Sequence, residues 1–170
     1  MACVIAAPSS GAGKTILSLT LTAWARLKGL KIQTFKVGPD YLDPQLLTAT
    51  SNLPCRNLDL LLSGKEWVKK SFYGFGSIAD LVLIEGVMGL FDGVGISEKG
   101  STAEIALELD IPVVLVINAS GQSSSIAPLV KGFRDHNQKL TEQLDYLIAN
   151  SIREERFCLK IFLIFRLKDC

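Results

Sequence analysis

A chain of 170 residues, of which 48% are hydrophobic, has the length of one domain and enough apolar side chains to bury a core. Its 18 basic and 17 acidic residues nearly cancel, so the composition gives no electrostatic footprint for nucleic acid or an anionic membrane surface. Because the chain has neither a long apolar run nor a basic segment at its start, we predict no membrane-spanning helix and no signal peptide, and we expect a cytoplasmic protein.

Short apolar runs alternate along the chain with longer segments of helical pattern. The apolar runs predict strands at residues 2–7, 31–37, 80–85, 112–117 and 144–149. The segments between them predict helices at residues 14–28, 44–52, 64–73, 102–109 and 122–136. This alternation predicts an α/β fold, in which a doubly wound, mainly parallel sheet is flanked by helices. We expect a single domain over residues 1–157.

The last residues do not continue this alternation. Residues 158–170 carry no turn signal and no clear amphipathic period. Two interpretations stay open for this tail. Either Ile161–Phe165 forms an extra strand, or the tail is the product of a truncated or shifted reading frame, which is the interpretation we prefer.

The cysteines and the histidine give no sign of a metal or nucleophilic site. The four cysteines are Cys3, Cys55, Cys158 and Cys170. They form no C-x-x-C pair, so we expect reduced thiols with a structural or incidental role. His136 lies in a polar run and is predicted to be a solvated surface residue.

The strongest motif follows the first predicted strand and opens the first predicted helix. It reads Ala7-Pro8-Ser9-Ser10-Gly11-Ala12-Gly13-Lys14-Thr15 and matches a phosphate-binding loop, except that Pro8 stands at the first glycine position. The glycines let backbone N–H groups face phosphates, the lysine adds charge, and the threonine offers a hydroxyl to Mg²⁺. The alternative is a Gly-rich turn with a chance lysine, which the order of strand, loop and helix disfavours. The predicted nucleotide contacts are Ser10, Gly11, Ala12, Gly13, Lys14 and Thr15.

A second lysine and two acids follow the second predicted strand. Lys36 ends that strand, at the carboxyl edge of the sheet where doubly wound folds bind their ligands. The run Phe35-Lys-Val-Gly-Pro-Asp-Tyr-Leu-Asp-Pro44 then places Asp40 and Asp43 in one short loop. On spacing alone, a turn with solvated acids is an equally good interpretation.

Further acids follow later segments. Glu85 closes an apolar strand, where packing alone does not favour a charged side chain. Asp59 either caps the helix that follows it or joins Glu85 and Thr15 as an oxygen ligand of Mg²⁺. Asp92 lies in the Gly-rich loop after Glu85 and is either a turn residue or a substrate contact.

Four segments resemble, in order and spacing, successive motifs of the cobyrinic acid a,c-diamide synthases, which belong to the dethiobiotin-synthetase-like P-loop enzymes. These segments are Pro8–Thr15, Phe35–Pro44, Arg56–Asp59 and Ile84–Gly93. The second and fourth are specific, because we do not expect them together in unrelated P-loop proteins. Val116–Gly121 and Ile148–Asn150 resemble later family segments more weakly, and the similarity extends over about residues 2–157.

The resemblance implies an ATP-dependent carbon–nitrogen ligase of cobalamin biosynthesis. In such an enzyme, ATP phosphorylates the a and c side-chain carboxylates of cobyrinic or hydrogenobyrinic acid in turn, and ammonia then displaces phosphate to leave an amide. Phosphoryl transfer between two anions needs positive charge, which Lys14, Lys36 and Mg²⁺ would supply. In the family, ammonia comes from glutamine, which a second domain hydrolyses with a Cys nucleophile and a His base.

The resemblance also implies roles for the residues of the loop after the second strand. Asp40 and Asp43 would orient the substrate or assist proton removal from ammonia. Tyr41 and Leu42, together with Asp92, would contact the corrin substrate.

A metal site and an adenine contact are implied by similarity to dethiobiotin and CTP synthetases. In those enzymes the acids that correspond to Asp59 and Glu85 hold the metal, and here Thr15 would join them. Asn150, at the end of a late strand, lies where relatives recognise adenine. ATP and Mg²⁺ are therefore the expected cofactors.

The chain departs from the family in lacking a recognisable glutaminase domain. Because His136 is its one histidine and falls in the synthetase region, no glutaminase dyad can be assembled. The chain is then a fragment, an enzyme completed by a separate glutaminase subunit, or an enzyme that uses free ammonia. The expected partner is a corrin substrate, with no nucleic acid and no membrane, and we allow for a homodimer.

Two other functional classes stay open. A dethiobiotin-synthetase-like ligase would share the phosphate loop and the acids, but the run Gly38–Pro44 disfavours it. A switch ATPase of the partitioning or metallochaperone type often carries an extra lysine early in the phosphate loop, where this chain has Pro8 and Ser9. An inactive truncated product is a third alternative, which a cooperative thermal transition raised by Mg-ATP would contradict.

Overall fold

A computed structural model describes the backbone of residues 1–150 and 163–166, with side chains up to residue 144. Helices follow most strands along the chain. The strands are β1 (Ala2–Ala6), β2 (Ile32–Val37), β3 (Arg56–Leu58), β4 (Leu81–Glu85), β5 (Val113–Asn118), β6 (Leu144–Asn150) and β7 (Leu163–Arg166). The helices are α1 (Lys14–Leu27), α2 (Leu42–Ser51), α3 (Gly64–Gly76), α4 (Thr102–Leu109), α5 (Ile126–His136) and α6 (Gln138–Thr141).

The strands form one sheet in the order β3-β2-β4-β1-β5-β6-β7. All neighbours from β3 to β6 pair in parallel, and β7 pairs antiparallel with β6. The chain builds the sheet on one side of β1 up to β4 and on the other side from β5 onwards. The carboxyl end of β1 is therefore a topological switch point, where open α/β sheets form their ligand crevice.

Apolar residues alternate between the two faces of the sheet and form a core on each. One core packs α3, α4, α5 and α6 against side chains such as Phe35, Ile84 and Leu115. The other packs α1 against side chains such as Ile5 and Val116, and α2 lies beside α1 and β2. Strands covered on both faces need near-continuous apolar sequence, which β4 and β5 have.

Two short elements were not predicted from the sequence. Arg56–Leu58 forms β3 at the sheet edge, where it pairs with the end of β2, but three residues are too few to show a strand period. Gln138–Thr141 forms α6, a single turn that buries Leu140 against the core. Both depend on tertiary contacts rather than on local pattern.

The end of the chain is described only in part. Leu163–Arg166 forms β7, which overlaps residues 161–165 of the tail, and both interpretations of the tail stay predictions. The remaining residues of the predicted tail, and with them Cys158 and Cys170, lie outside the described residues. In the part of the chain that is described, no helix combines the length and the apolar character that crossing a membrane requires.

Candidate functional site

A cavity of about 370 Å³ lies at the carboxyl ends of β1, β2 and β4. Its walls come from the loop between β1 and α1, from Lys36 of β2, from Asp40 and Asp43 at the start of α2, and from Glu85 with the loop that follows β4. Three sequence segments that are far apart along the chain, residues 10–16, 36–43 and 85–88, therefore meet at the switch point of the sheet. The predicted site residues of the first, second and fourth motifs largely converge here.

The loop between β1 and α1 has the backbone that a phosphate cradle needs. Gly11 has φ +78° and Gly13 has φ +103°, a left-handed region that glycine enters without steric cost. Helix α1 begins at Lys14, so the positive end of its dipole faces the cavity. Of the six predicted phosphate-loop contacts, all but Ala12 line the cavity, and Ala12 is buried in the core on the side of α1.

The Lys14 ammonium crosses the cavity to the loop after β4. Its Nζ donates hydrogen bonds to the carbonyl of Met88 at 2.5 Å and to the carbonyl of Ser9 at 3.1 Å. Burial, followed by the positive charge of Lys36, lowers the pKa of Lys14 from its ordinary value. A phosphate in the cavity would act against both effects and raise the pKa of Lys14, since it offers this cation an anionic partner.

Lys36 is the centre of a buried ionic network. Its Nζ lies 2.7 Å from Oδ2 of Asp43 and 3.0 Å from Oε1 of Glu85, and it also donates to the carbonyl of Gly86 at 3.1 Å. The parallel register between β2 and β4 places Lys36 directly beside Glu85. Burial acts to lower the pKa of Lys36, but the charge of Glu85 and the hydrogen bond to Asp43 outweigh it and raise the pKa.

The pKa values of the two acids in this network are shifted in opposite directions. Burial is the largest influence on Asp43 and acts to raise its pKa, but the hydrogen bond and the charge of Lys36 prevail and hold that pKa below the ordinary value. Glu85 is fully buried, and burial raises its pKa despite the opposing effects of Lys36 and Thr15. The contact with Lys36 therefore prevails at Asp43, whereas burial prevails at Glu85.

Thr15 and Glu85 form a direct contact in which one carboxylate oxygen is still free. The Thr15 hydroxyl donates to Oε1 of Glu85 at 2.6 Å. Oε2 of Glu85 is buried and has no hydrogen-bond partner among the described residues. A free buried carboxylate oxygen beside a threonine hydroxyl is a donor set that fits Mg²⁺. Within the described residues, no three acidic, histidine or cysteine side chains form a metal cage of their own.

The other predicted acids take part in turns. Asp40 lines the cavity, with Oδ2 at 3.8 Å from Nζ of Lys36, while its Oδ1 accepts from the amide of Leu42. Oδ1 of Asp59 accepts from two backbone amides, those of residues 61 and 62, and Asp59 does not line the cavity. Oδ2 of Asp92 accepts from the amide of Gly89 at 2.8 Å, which closes a turn outside the cavity lining.

The predicted substrate and adenine contacts lie around the cavity or beyond the described side chains. Tyr41 and Leu42 are 80% and 75% exposed, between the cavity-lining Asp40 and Asp43. Asn150 ends β6 beside Asn118, but its side chain is outside the described set. The roles proposed for these residues stay predictions.

Two residues with a clear role at the site were missed in the sequence. The Thr102 hydroxyl both accepts from the amide of Val87 and donates to its carbonyl, so it holds the loop after β4. The Asn57 amide donates to the carbonyls of Gly38 at 2.7 Å and of Asp40 at 2.8 Å. Asn57 belongs to the Asn-Leu-Asp motif, but the sequence drew attention to Asp59 instead.

Comparisons with known proteins match this chain to a nucleotide-binding domain. A family model described as the CobQ/CobB/MinD/ParA nucleotide binding domain (CbiA) matches residues 3–158. The cobyrinate a,c-diamide synthase of Syntrophotalea carbinolica is 53% identical over 148 residues, which is 86% of this chain and 32% of that protein. The hydrogenobyrinate a,c-diamide synthase of Streptomyces coelicolor is 43% identical over 154 residues, which is 90% of this chain and 31% of that protein. The chain thus spans about a third of the length of these relatives.

A solved structure shows the same fold at low sequence identity. The signal recognition particle receptor FtsY from Elizabethkingia anophelis has a TM-score of 0.60 and 14% identity, over 95% of this chain and 61% of that chain. Together with the family match, this likeness confirms the doubly wound, mainly parallel α/β fold that the alternation of elements predicted.

Proposed function

This chain belongs to the CbiA family of CobQ/CobB/MinD/ParA nucleotide-binding domains, and we propose that it performs the ATP-dependent amidation of a corrin, as the synthetase part of a cobyrinate a,c-diamide synthase. The names of its relatives and its similarity to them support the substrate class. The observation that carries the chemistry is that two buried lysines, Lys14 and Lys36, line one cavity with the phosphate loop.

The reaction joins two anions and therefore needs concentrated positive charge. The substrate carboxylate attacks the γ-phosphorus of ATP, the bond to the β–γ bridging oxygen breaks, and ADP leaves with its electron pair. Lys14 is placed at the phosphate loop to neutralise the β- and γ-phosphates. Lys36, across the cavity, is placed to offset the charge that develops between carboxylate and phosphoryl group.

The second step forms the amide. Ammonia attacks the carbonyl carbon of the acyl phosphate, the bond from carbon to the phosphate oxygen breaks, and phosphate leaves while nitrogen loses a proton. Asp43 is held as an ion by Lys36 and would orient that lysine. Asp40 lines the cavity but lies farther from Lys36, at 3.8 Å, so it is the better-placed proton acceptor.

Mg²⁺ would be held by the Thr15 hydroxyl and by the Glu85 carboxylate, whose Oε2 lacks a partner among the described residues. When bound, it would neutralise charge on the β- and γ-phosphates. Asp59 is proposed as a third, more distant ligand, and it would act through Oδ2 because Oδ1 already accepts from two amides. Ammonia would come from a glutaminase domain or subunit outside these residues, or from free ammonium, and we place the reaction in the cytoplasm.

The test is an ammonium-dependent assay with the purified chain, Mg-ATP and cobyrinic or hydrogenobyrinic acid as separate substrates. We expect two carboxylates to become amides, with ADP formed in step with each, as followed by mass spectrometry and a coupled ADP assay. The variant Lys14→Met should lose ATP binding, whereas Lys131→Met, at an exposed position of α5, should not.

Three results would contradict the proposal. One is a folded chain that binds ATP but forms neither amide nor corrin-stimulated ADP, even when a glutaminase half is supplied in trans. Another is dimerisation driven by ATP without any effect of corrin, which would indicate a switch ATPase. The third is carboxylation or ligation of a small non-corrin acid, which would indicate a dethiobiotin-synthetase-like ligase.

A further inference from the structure

Three polar side chains stand in one row across neighbouring strands at the carboxyl edge of the sheet. The registers pair Asn57 of β3 with Lys36 of β2, and Lys36 with Glu85 of β4. Partners in adjacent strands point to the same face, so all three side chains lie on the face that carries α1 and α2. Lys36 and Glu85 belong to the ionic network, and Asn57 stands beside them at the edge of the sheet.

The Asn57 side chain is bonded to the loop that carries the acids. Both hydrogens of its amide are used, one on the carbonyl of Gly38 at 2.7 Å and one on the carbonyl of Asp40 at 2.8 Å. The loop turns at Gly38, which has φ +79°, and leads into Asp43 at the start of α2. One side chain therefore ties both ends of a three-residue turn to the sheet.

The strand that presents Asn57 is anchored from its other face. Arg56 lies over the ring of Phe75 at 3.4 Å from the centroid, and Leu58 is fully buried in the core beneath α3. The amide of Gly38 also donates to the carbonyl of Leu58 at 2.9 Å. A three-residue strand at a sheet edge is thus held firmly enough to act as a fixed point for the neighbouring loop.

We infer that Asn57 is a positioning residue, whose amide holds the turn at residues 38–40 so that Asp40 and Asp43 face Lys36. This part of the cavity is where the carboxylate substrate would bind, whereas the phosphate loop would bind the nucleotide. No other short side chain supplies two hydrogens from one planar nitrogen. Aspartate at this position would point carboxylate oxygens at the two carbonyls, and neither oxygen could donate a hydrogen bond to them. The kinetic part of this inference rests on the proposed function. The structural part does not, because the loop is held whatever its substrate is.

The test compares Asn57→Asp, Asn57→Ala and Asn57→Gln with the wild-type chain. Asn52→Asp is the charge-matched control, because Asn52 is exposed at the far end of α2, with φ +61°, a region that aspartate also enters. Hydrogen exchange is read by mass spectrometry on peptides that cover residues 38–43 and residues 8–15. Affinity for Mg-ATP is measured by calorimetry with a non-hydrolysable analogue, and kcat and KM for the corrin acid come from ADP release.

We expect Asn57→Asp and Asn57→Ala to raise exchange at residues 38–43 by roughly tenfold or more, with little change at residues 8–15. The Kd for nucleotide should stay within about threefold of wild type, while kcat/KM for the corrin acid falls by roughly tenfold to a hundredfold. Asn57→Gln keeps both hydrogens and should recover part of the loss, and Asn52→Asp should match the wild type.

Two results would overturn the inference. The first is unchanged exchange at residues 38–43 in both Asn57→Asp and Asn57→Ala. The second is faster exchange everywhere together with a proportional loss of nucleotide affinity, which would mean that Asn57 only stabilises the fold. If the wild-type chain does not turn over a corrin even with a glutaminase half supplied in trans, the proposed function fails, and the exchange data with the nucleotide Kd still decide the role of Asn57.

Discussion

The ammonium of Lys36 lies 3.0 Å from a carboxylate oxygen of Glu85, and both side chains are buried in the wall of the cavity. Neither charge has access to bulk water, so each depends on the other and on the few polar groups around them. Removing one partner should therefore lower the stability of the folded protein.

Replacing Lys36 with methionine should lower the free energy of unfolding by about 3–5 kcal/mol, because it leaves Glu85 buried without a cation. The double variant Lys36→Met with Glu85→Gln should recover a large part of this loss, since it removes both charges. Urea unfolding of the wild type, the two single variants and the double variant measures the coupling. Additive single effects would show that the two charges do not depend on each other.

The loss of unfolding free energy caused by Lys36→Met should depend on pH. Burial already raises the pKa of Glu85 while Lys36 opposes it, so removing Lys36 raises that pKa further. A carboxyl whose pKa is higher in the folded than in the unfolded protein lowers stability above that pKa, and the cost falls as the pH drops through it. The stability difference from wild type should therefore shrink between pH 7 and pH 5. A difference that grows on acidification would contradict this sign.

Replacing a glycine by alanine should have opposite effects on stability at a loop position near the site and at a position within a helix. A Cβ at Gly86 would lie 2.7 Å from Cγ2 of Thr102 and 2.9 Å from the carbonyl of Ile5, so Gly86→Ala should cost about 1–3 kcal/mol of stability. A Cβ at Gly74, within α3, would meet nothing within 4 Å, and Gly74→Ala should stabilise by about 0.5–1 kcal/mol. Thermal or urea unfolding of both variants tests this pair, and equal effects would argue against the close packing at Gly86.

The thiols of Cys3 and Cys55 should react slowly in the folded protein. Burial raises the pKa of each to about 11, with small opposition from the N-terminal charge at Cys3 and from Thr34 at Cys55. At pH 8, only about one such thiol in a thousand is ionised, against about a quarter of ordinary thiols. Iodoacetamide labelling, followed by peptide mass spectrometry, should at pH 8 be at least about tenfold slower in the native than in the urea-unfolded chain. Labelling of the native chain should become faster as the pH rises toward 11. Equal native and unfolded rates at pH 8 would contradict the effect of burial.

Asp59 carries two proposed roles that one pair of substitutions separates. Asp59→Asn keeps Oδ1 as acceptor for the amides of residues 61 and 62, so stability should hold, while Asp59→Ala should lose about 1 kcal/mol. If Oδ2 also serves Mg²⁺, both variants should need more Mg²⁺ for nucleotide binding, as a titration at fixed nucleotide concentration would show. An unchanged Mg²⁺ requirement in Asp59→Asn would restrict Asp59 to its turn.

The phosphate loop could be predicted from the sequence because its function is local. The turn at Gly11 and Gly13, the lysine and the helix start are contiguous, and the structure has them as the motif indicates. The long strands were equally predictable, since continuous apolar runs leave few alternatives once both faces of a sheet are covered. β3 and α6 were not, because elements of three and four residues have no period of their own.

The sequence by itself determined the class of fold, the position of the nucleotide loop and a short set of charged residues near strand ends. Only the tertiary structure decided which of these residues meet. The parallel register brings Asn57, Lys36 and Glu85 into one row, and it leaves Asp92 and Asp59 in turns outside the cavity lining. The physical reason is that register and strand order are set by packing the two cores of the whole sheet, so residues far apart in the chain become neighbours only after the sheet has formed.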